Sequence, residues 1–304
     1  MHRQKNILII GGNGFIGKNL AEYLADRDYS VFSFDLFDPS KKNPKIKYIR
    51  GDFFDDSMLE KIVENMDVVV HALSTVTPGN SDQVYLRGYA GDFIQTIKLC
   101  EWIIKEKGKL IFLSSGGTIY GEQLIQPIDE QAKLEPNNHY GNLKLCIENT
   151  LRIMAERNGL ECIIARISNP YGPGQDFEKG VGFIDAAIKK FLKSEMLEIW
   201  GDGEIVRDYI YIDDVSAMLH ELVEYEGTEI AFNLSSATGT SQNQIIRMLK
   251  RAGVEGKVEY KDKRSIDLNK VVLSNKKICN LYKGKIIGIE EGLRKYCTWI
   301  FRHM

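Results

Sequence analysis

The sequence contains little that stiffens or cross-links a chain. Only 7 of its 304 residues are proline, and its 5 cysteines are an odd number, widely spaced and without a CxxC pair. This excludes a collagen-like repeat and a small disulfide scaffold, and it predicts reduced thiols and no structural zinc. With 43% hydrophobic and 27% charged residues, the composition also excludes a disordered chain.

Long apolar runs and an excess of charge of one sign are missing as well. No stretch approaches the roughly 18 uninterrupted apolar residues of a membrane-spanning helix. The N-terminus leads into a strand-length run, Ile7-Leu8-Ile9-Ile10, unlike a secretory leader. Forty basic and 42 acidic side chains leave a formal charge of -2, so no basic surface indicates nucleic acid or an anionic membrane. We therefore expect a cytoplasmic protein that binds neither nucleic acid nor a membrane.

Short apolar runs do alternate with amphipathic stretches over the first half of the chain. Continuous apolar runs are typical of buried parallel strands, and the stretches between them have helical periodicity. This alternation predicts βαβ crossovers and an α/β fold with a doubly wound parallel sheet. The predicted strands are residues 6–10, 30–34, 47–50, 67–71, 109–113 and 161–165, and the predicted helices are 17–28, 57–65, 83–107 and 140–158.

The regular alternation ends after Arg166. Residues 169–174 read NPYGPG, a concentrated loop signal, and the later elements no longer alternate. We predict a first domain over residues 1–169 and a smaller C-terminal substrate-binding region over 170–304, some segments of which can return to the sheet. No Ser/Gly linker separates them, so we expect a shared interface that holds a ligand.

A glycine-rich turn joins the first predicted strand to the first predicted helix. Residues 11–17 read GGNGFIG, which satisfies both G-x-x-G-x-x-G and G-x-G-x-x-G. Gly11, Gly14 and Gly17 permit a tight turn, and with Phe15 and Ile16 they lead into a helix whose N-terminus attracts a pyrophosphate. With a strand before it and a helix after it, the motif predicts a Rossmann dinucleotide-binding domain.

Residues at the ends of the next three predicted strands refine this cofactor site. Asp35, 18 residues after Gly17, is expected to accept hydrogen bonds from the adenosine ribose and to repel a 2′-phosphate, which predicts NAD rather than NADP. Asp52, followed by Phe53, is either a ligand of the adenine amino group or a solvated turn residue. We interpret His71 as a packed strand-end residue rather than an acid or base.

A Tyr-x-x-x-Lys pair opens the helix predicted over 140–158. The spacing of four puts Tyr140 and Lys144 on one helix face about one turn apart. A free tyrosine has a pKa near 10, and a neighbouring ammonium that stabilises the phenolate makes it a usable base at neutral pH. Because Lys144 can also bind the nicotinamide ribose, the pair is predicted to be both catalytic and cofactor-binding.

Together with the segment SSGGTIYG at 114–121, these motifs resemble those of the extended short-chain dehydrogenase/reductases, in the NAD-dependent epimerase/dehydratase family that includes UDP-glucose 4-epimerase. The resemblance continues through residues 166–174, 200–203 and 207–214. It implies NAD as cofactor, a nucleotide sugar (a UDP-hexose or N-acetylhexosamine) as substrate, and a homodimer. It also implies that Asn169, Arg207 and Arg264 hold the diphosphate and that Asp267 faces the nucleoside. Guanidinium groups suit phosphate oxygens well.

Three departures from the family pattern affect the expected chemistry. Gly116 stands where the family usually has a catalytic serine or threonine, and Asp92 stands where it has asparagine. Gly117-Thr118 replaces the Asp-Glu pair of the 4,6-dehydratases and so removes the acid and base of water elimination. Since side-chain direction alternates along a strand, Thr118 is our first candidate for the missing hydroxyl and Ser115 the second.

The resemblance implies an NAD-dependent nucleotide-sugar epimerase, most simply a UDP-hexose 4-epimerase that acts through a 4-keto intermediate. A nucleotide-sugar 4-ketoreductase or dehydratase is one alternative, and net consumption of NAD(H) would distinguish the reductase. A dinucleotide-sensing protein that lost catalysis through Gly116 is another, because a fold does not fix a function.

Overall fold

The structure is a computed structural model that describes residues 4–175, 182–262 and 268–303. The strands in these ranges are β1 (Lys5–Ile10), β2 (Tyr29–Asp35), β3 (Ile46–Arg50), β4 (Val68–His71), β5 (Lys109–Ser115), β6 (Glu161–Ile167), β7 (Asn169–Tyr171), β8 (Leu197–Trp200), β9 (Val206–Tyr211), β10 (Ala231–Leu234), β11 (Gly239–Ser241), β12 (Val258–Lys261) and β13 (Lys270–Val271).

Helices connect and cover these strands. They are α1 (Phe15–Ala25), α2 (Asp56–Val63), α3 (Ser81–Arg87), α4 (Ile94–Glu106), α5 (His139–Asn158), α6 (Phe183–Leu192), α7 (Ile212–Glu224), α8 (Gln242–Arg251) and α9 (Ile289–His303). A π-helical turn, Gly88–Phe93, joins α3 to α4, and a short 3₁₀ turn spans Ile278–Asn280.

Seven parallel strands form the central sheet, in the spatial order β10-β6-β5-β4-β1-β2-β3. The predicted α/β class with a doubly wound parallel sheet is therefore confirmed. Strand order reverses at β1, which pairs with β2 on one side and β4 on the other. In such sheets, ligands bind outside the carboxyl ends of the strands at this reversal. The glycine turn after β1 lies there.

Both faces of the sheet are covered, which explains the uninterrupted apolar strands. In β1, the four residues Ile7 to Ile10 are completely buried. Ile7 and Ile9 pack in a core with α1 and α7, whereas Leu8 and Ile10 pack in a core with α2, α4 and α5. A strand with helices on both sides has no polar face, so it appears in sequence as a continuous run.

The prediction of a single helix over residues 83–107 is wrong. The structure divides this segment into α3, the π-helical turn and α4, with non-helical backbone at Val84. Glycine allows the close packing here: a Cβ on Gly88 would lie 2.7 Å from Leu143 of α5 and 2.8 Å from Val76. The turn is thereby pressed against the helix that carries Tyr140 and Lys144.

The chain after residue 170 forms a smaller layer and also returns to the sheet. β9 pairs with β7, β11 and β13, β8 pairs with β12, and α6, α8 and α9 pack around them in a separate core. β10 adds the edge strand next to β6, and α7 packs in the same core as α1. The buried carboxylate of Asp208 in β9 accepts hydrogen bonds from Ser168, Ser236 and Leu273 and so ties the two parts together.

All five cysteines are free, and Cys100, Cys162 and Cys297 are buried. Among the described residues, no helix has both the length and the apolar character that crossing a membrane requires.

Candidate active site

The glycine turn leaves the N-terminus of α1 open to a ligand. Gly11 has a φ of +77°, in the left-handed region, and a Cβ on Gly17 would lie 2.3 Å from the carbonyl oxygen of Gly11. Gly14 is the N-cap residue and has no side chain to cap the helix. The first turn, with Phe15 and Ile16, thus presents backbone amides and a positive dipole end, which suits a pyrophosphate.

Asp35 is fixed at the rim of this turn. Its carboxylate accepts hydrogen bonds from the backbone amides of Asn13 (3.0 Å) and Leu36 (2.8 Å). The Asn13 side chain in turn accepts from the Ser33 hydroxyl and donates to the Phe37 carbonyl. Asn13 was missed by the sequence analysis because it is a variable position of the glycine motif, yet it connects that motif to β2.

The strand-end residues of β3 and β4 have structural partners. Asp52 is exposed, and its carboxylate accepts from the Phe54 amide at 2.9 Å, which stabilises the turn. Phe53 is buried, with its ring 5.1 Å from that of His71. His71 is itself buried, with Nε2 2.9 Å from the Thr96 hydroxyl. Burial, helped by the charge of Lys144, lowers the pKa of His71 to about 3, so its ring is neutral and packed, as interpreted.

The start of α5 is held in place by its cap and by a glycine. The Asn138 side chain accepts a hydrogen bond from the Gly141 amide at 2.8 Å. A Cβ on Gly141 would lie 2.9 Å from the carbonyl oxygen of Thr118. A larger residue would push the helix away from this turn, so Gly141 allows Tyr140 and Lys144 to approach the end of β5.

Tyr140 and Lys144 are the electrostatic centre of the site. The Lys144 ammonium donates to the Leu113 carbonyl of β5 at 2.9 Å. Burial raises the pKa of Tyr140 to about 12, and its interaction with the Ser115 hydroxyl opposes this rise. Burial lowers the pKa of Lys144 to about 8, while the carboxylates of Asp92 and Glu148 act in the opposite direction.

In the turn after β5, the hydroxyl groups of Ser115 and Thr118 do not lie where the strand alternation predicts. Ser115 interacts with Tyr140, and Thr118 donates to the Ser115 hydroxyl at 2.9 Å. The Ile119 amide bonds to the Ser115 carbonyl, so the chain turns here and the strand alternation no longer applies. A Cβ on Gly116 would lie 2.3 Å from the Leu273 side chain and so faces a packed interior. Gly116 is therefore a packing position, and Ser115 is the hydroxyl next to Tyr140.

Two of the predicted substrate residues line one cavity of about 350 Å³. The Asn169 side chain donates to the Asp208 carbonyl at 2.7 Å, and Arg207 donates to the backbone carbonyls of Val206 and Leu268 at 2.9 Å. Such a volume is in the range of small-molecule sites. Arg264 and Asp267 lie outside the described residues.

The cavity has further lining residues that the motifs did not indicate, including Phe183, Glu198, Trp200 and Gln242. They come from α6, β8 and the start of α8, which only tertiary packing brings together. The side-chain oxygen of Gln242 is buried and has no hydrogen-bond partner among the described residues. On the other side, Asn169 lies against Gly117, so the cavity adjoins the turn that carries Ser115.

Comparison with known proteins places this site in a family. The sequence model described as the NAD dependent epimerase/dehydratase family matches residues 7–235. The chain belongs to this family. A dTDP-4-dehydro-6-deoxyglucose reductase of Escherichia coli is 30% identical to this family member, over 96% of both chains. UDP-glucose 4-epimerase of Halalkalibacterium halodurans is 27% identical, over 98% of this chain and 96% of its own.

A solved structure is similar over the whole length of this epimerase/dehydratase family member. The crystal structure of Thermotoga maritima UDP-glucose 4-epimerase with UDP-glucose has a TM-score of 0.91 and 31% identity, covering 98% of this chain and 99% of that one. The predicted family, the Rossmann fold and NAD as cofactor are thus confirmed. The uncapped glycine turn and the fixed Asp35 carboxylate fit NAD as well.

A buried ion pair between α5 and β6 holds α5 in place in this family member. The guanidinium of Arg166 in β6 contacts both carboxylate oxygens of Glu148, at 2.7 to 3.3 Å. It also donates to the Tyr120 hydroxyl at 2.8 Å, and Tyr120 donates to Asn233 of β10 at 2.6 Å. Arg166 and Tyr120 lie in the motif segments 166–174 and 114–121, but their contacts with Glu148 and Asn233 could not be predicted from them, because these contacts join four separate segments.

Proposed function

We propose that this protein is an NAD-dependent nucleotide-sugar epimerase whose substrate is a UDP-hexose, inverted at C4 through a 4-keto intermediate. The observation that carries the proposal is the convergence of Tyr140, Lys144 and the Ser115 hydroxyl beside a cavity lined by Asn169 and Arg207. A base, a cation that stabilises it and an anion-binding cavity are the groups that oxidation of a nucleotide-sugar hydroxyl requires.

Tyr140 is the proposed base. Its phenolate would remove the proton of the C4 hydroxyl as the C4 hydride leaves, which gives the 4-keto sugar, and the phenol would return that proton when C4 receives a hydride again. Lys144 stabilises the phenolate by its positive charge and holds the nicotinamide ribose. Bound NAD supplies the acceptor of the C4 hydride and then the donor that returns it. Ser115 orients the C4 oxygen towards Tyr140, and Thr118 orients Ser115 by the hydrogen bond between them.

Each remaining site residue is assigned to the part of the cofactor or substrate that its chemical groups can bind. Gly11 and Gly14 shape the cofactor turn, with their amides bonded to the carbonyls of Phe34 and Gly11, and the amides of Phe15, Ile16 and Gly17 meet the pyrophosphate. Asp35 meets the adenosine ribose, and Asp52 and Phe53 meet the adenine end. Asn169, Arg207 and Arg264 hold the sugar-nucleotide diphosphate, and Asp267 faces the nucleoside. The Arg207 side chain is oriented in advance by its two backbone acceptors, so little entropy is lost when it binds an anion.

Epimerisation is favoured over elimination by the two residues after Gly116. Gly117 has no side chain, and the Thr118 hydroxyl is a poor acid or base, so the turn lacks the carboxyl pair that loss of water at C5 and C6 requires. The Escherichia coli relative, a reductase, supports one alternative: a 4-ketoreductase with the same Tyr140 and Lys144 and a net redox change.

A panel of UDP-sugars tests the proposal. Purified protein is incubated with UDP-glucose, UDP-N-acetylglucosamine and their uronates, and the products are followed by NMR together with NADH absorbance. We expect one C4 epimer pair to reach equilibrium from either side without net NADH. Net NADH formation or oxidation would favour the reductase, and NAD binding without any turnover would favour a sensing protein.

A further inference from the structure

Gln242, the first residue of α8, has a polar side chain that its neighbours in the protein do not satisfy. Its amide oxygen is buried and accepts no hydrogen bond from any residue that the structure describes. A buried acceptor without a donor costs free energy, so such groups are rare in native proteins. Gln242 also lines the cavity of about 350 Å³ that contains Asn169 and Arg207. A ligand in this cavity can supply the missing donor.

The local backbone fixes Gln242 beside this cavity. The Ser241 hydroxyl accepts from the Gln244 amide at 3.3 Å, and the Gln244 side chain accepts from the Ser241 amide at 2.7 Å. This capping box stabilises the first turn of α8. β11, which leads into α8, pairs with β9 so that Thr240 lies opposite Arg207. Gln242 therefore follows two residues after the strand partner of Arg207, and both side chains line the cavity.

Aromatic side chains line the same cavity. In β8, Leu197 and Ile199 are buried in the core. The alternation of the strand turns Glu198 and Trp200 to the other side, where both line the cavity. Phe183 of α6 lines it as well. Bases stack on aromatic side chains, so the cavity offers a surface for the base of a nucleotide as well as a cationic group for its phosphates.

Of the two side-chain acceptors near these rings, Gln242 is the one suited to the base. Glu198 is exposed, and one of its carboxylate oxygens lies 4.0 Å from the Lys261 ammonium, so water and a cation already satisfy it. The Gln242 amide has an acceptor next to a donor in one plane. One edge of uracil has the complementary order, because its N3–H donor lies between two carbonyl oxygens.

We propose that Gln242 determines base specificity, with its amide oxygen accepting a hydrogen bond from N3–H of the uracil of the substrate. The inference rests on the proposed function, in which the substrate is a UDP-sugar whose diphosphate binds Arg207. It adds a residue outside the motifs identified in the sequence. A base without a donor at this position leaves the amide oxygen unpaired in the complex, and a polar site rejects close analogues in this way.

Binding of UDP and N3-methyl-UDP to the full-length protein with saturating NAD tests the inference without turnover. Calorimetry gives the Kd of both nucleotides for the wild type and for Gln242→Leu, which keeps the approximate size of the side chain and removes the amide. We expect the wild type to prefer UDP on the order of ten-fold, the effect of one lost hydrogen bond at a buried site. In Gln242→Leu, this preference should nearly vanish because the affinity for UDP falls.

Gln131→Leu is the matched control. Gln131 is exposed in the loop before α5 and is not among the residues that line the cavity, so both affinities should keep their wild-type values. Should Gln242→Leu not fold, Gln242→Ala removes the same amide. An unchanged preference for UDP over N3-methyl-UDP in a folded Gln242 variant would overturn the inference, as would a wild type without this preference.

Two further outcomes separate this inference from its neighbours. If Gln242→Leu instead abolishes a preference for UDP over 2′-deoxy-UDP, the amide binds the ribose and the base assignment is wrong. A protein with the expected Gln242-dependent preference that converts no UDP-sugar rejects the proposed function alone. A protein that epimerises a UDP-sugar and keeps its preference in Gln242→Leu rejects this inference alone.

Discussion

Single substitutions can separate the proposed roles of Ser115 and Thr118. Ser115 interacts with Tyr140, whereas Thr118 reaches Tyr140 only through Ser115. We expect Ser115→Ala to lower kcat on the order of 10²-fold, because one positioned donor is lost from a site that excludes water. Thr118→Val should lower kcat less, and both variants should bind NAD normally by calorimetry. A larger loss for Thr118→Val than for Ser115→Ala would return the main role to Thr118.

We propose that Asp35 determines the choice between NAD and NADP. Its carboxylate is fixed by two backbone amides and would repel a 2′-phosphate. Asp35→Ala should weaken NAD binding and bring the NADP affinity closer to it. Dissociation constants for both cofactors measure the effect. Leu36→Ala, at the residue after Asp35, serves as the control. An unchanged preference in Asp35→Ala would reject the ribose assignment.

The relative position of Tyr140 and Lys144, the proposed catalytic pair, could be predicted from sequence because both residues lie on one helix and their spacing alone sets their geometry. The order of Ser115 and Thr118 could not. The strand alternation that we extended past residue 115 ends where the Ile119 amide bonds to the Ser115 carbonyl. The role of Gly116 depends on Leu273, a contact distant in sequence that no local pattern contains.

At the scale of elements, strands were easier to predict than the helix that supports the site. A buried parallel strand has a continuous apolar signature, so β1 to β6 were recognised. The segment 83–107 has helical periodicity throughout, but Gly88 and Gly91 weaken it and the packing of Gly88 on Leu143 selects a π-helical turn. That turn carries the buried Asp92, so the helix prediction gave this carboxylate the wrong backbone conformation.

The contact between α6 and α9 makes stability depend on pH. The Tyr296 hydroxyl donates to the buried Asp185 carboxylate, and burial raises the pKa of Asp185 to about 7 from its usual 3.8. The folded state therefore favours the protonated acid, and stability is lost as the pH rises from about 4 through 7. Asp185→Asn should increase the free energy of unfolding above pH 7 by on the order of 2 kcal/mol.

Urea unfolding at pH 8 and pH 5 checks this prediction. The advantage of the asparagine variant should be largest at pH 8 and should decrease towards pH 4. Asp213→Asn, at an exposed position of α7, serves as a comparison with a smaller expected effect. An equal advantage at both pH values would mean that Asp185 does not titrate in this range.

For the whole molecule, three large apolar side chains on helices of the first domain are exposed. Leu86, Ile94 and Ile153, on α3, α4 and α5, are 67%, 46% and 53% exposed. We propose that these helices form the isologous interface of a homodimer. Light scattering should give twice the monomer mass of 34.6 kDa. Ile94→Glu combined with Ile153→Glu should give the monomer mass, while a wild-type monomer at micromolar concentration would contradict the proposal.

The central claim, that hydride leaves C4 and returns to it within one site, is tested most directly with UDP-glucose deuterated at C4. The protein is incubated with this substrate and an excess of unlabelled NAD, and the sugar and the cofactor pool are analysed by mass spectrometry and NMR. An epimerase should give the C4 epimer with deuterium still at C4 and none in free NADH. Deuterium in the free cofactor pool, or unlabelled epimer, would contradict the account.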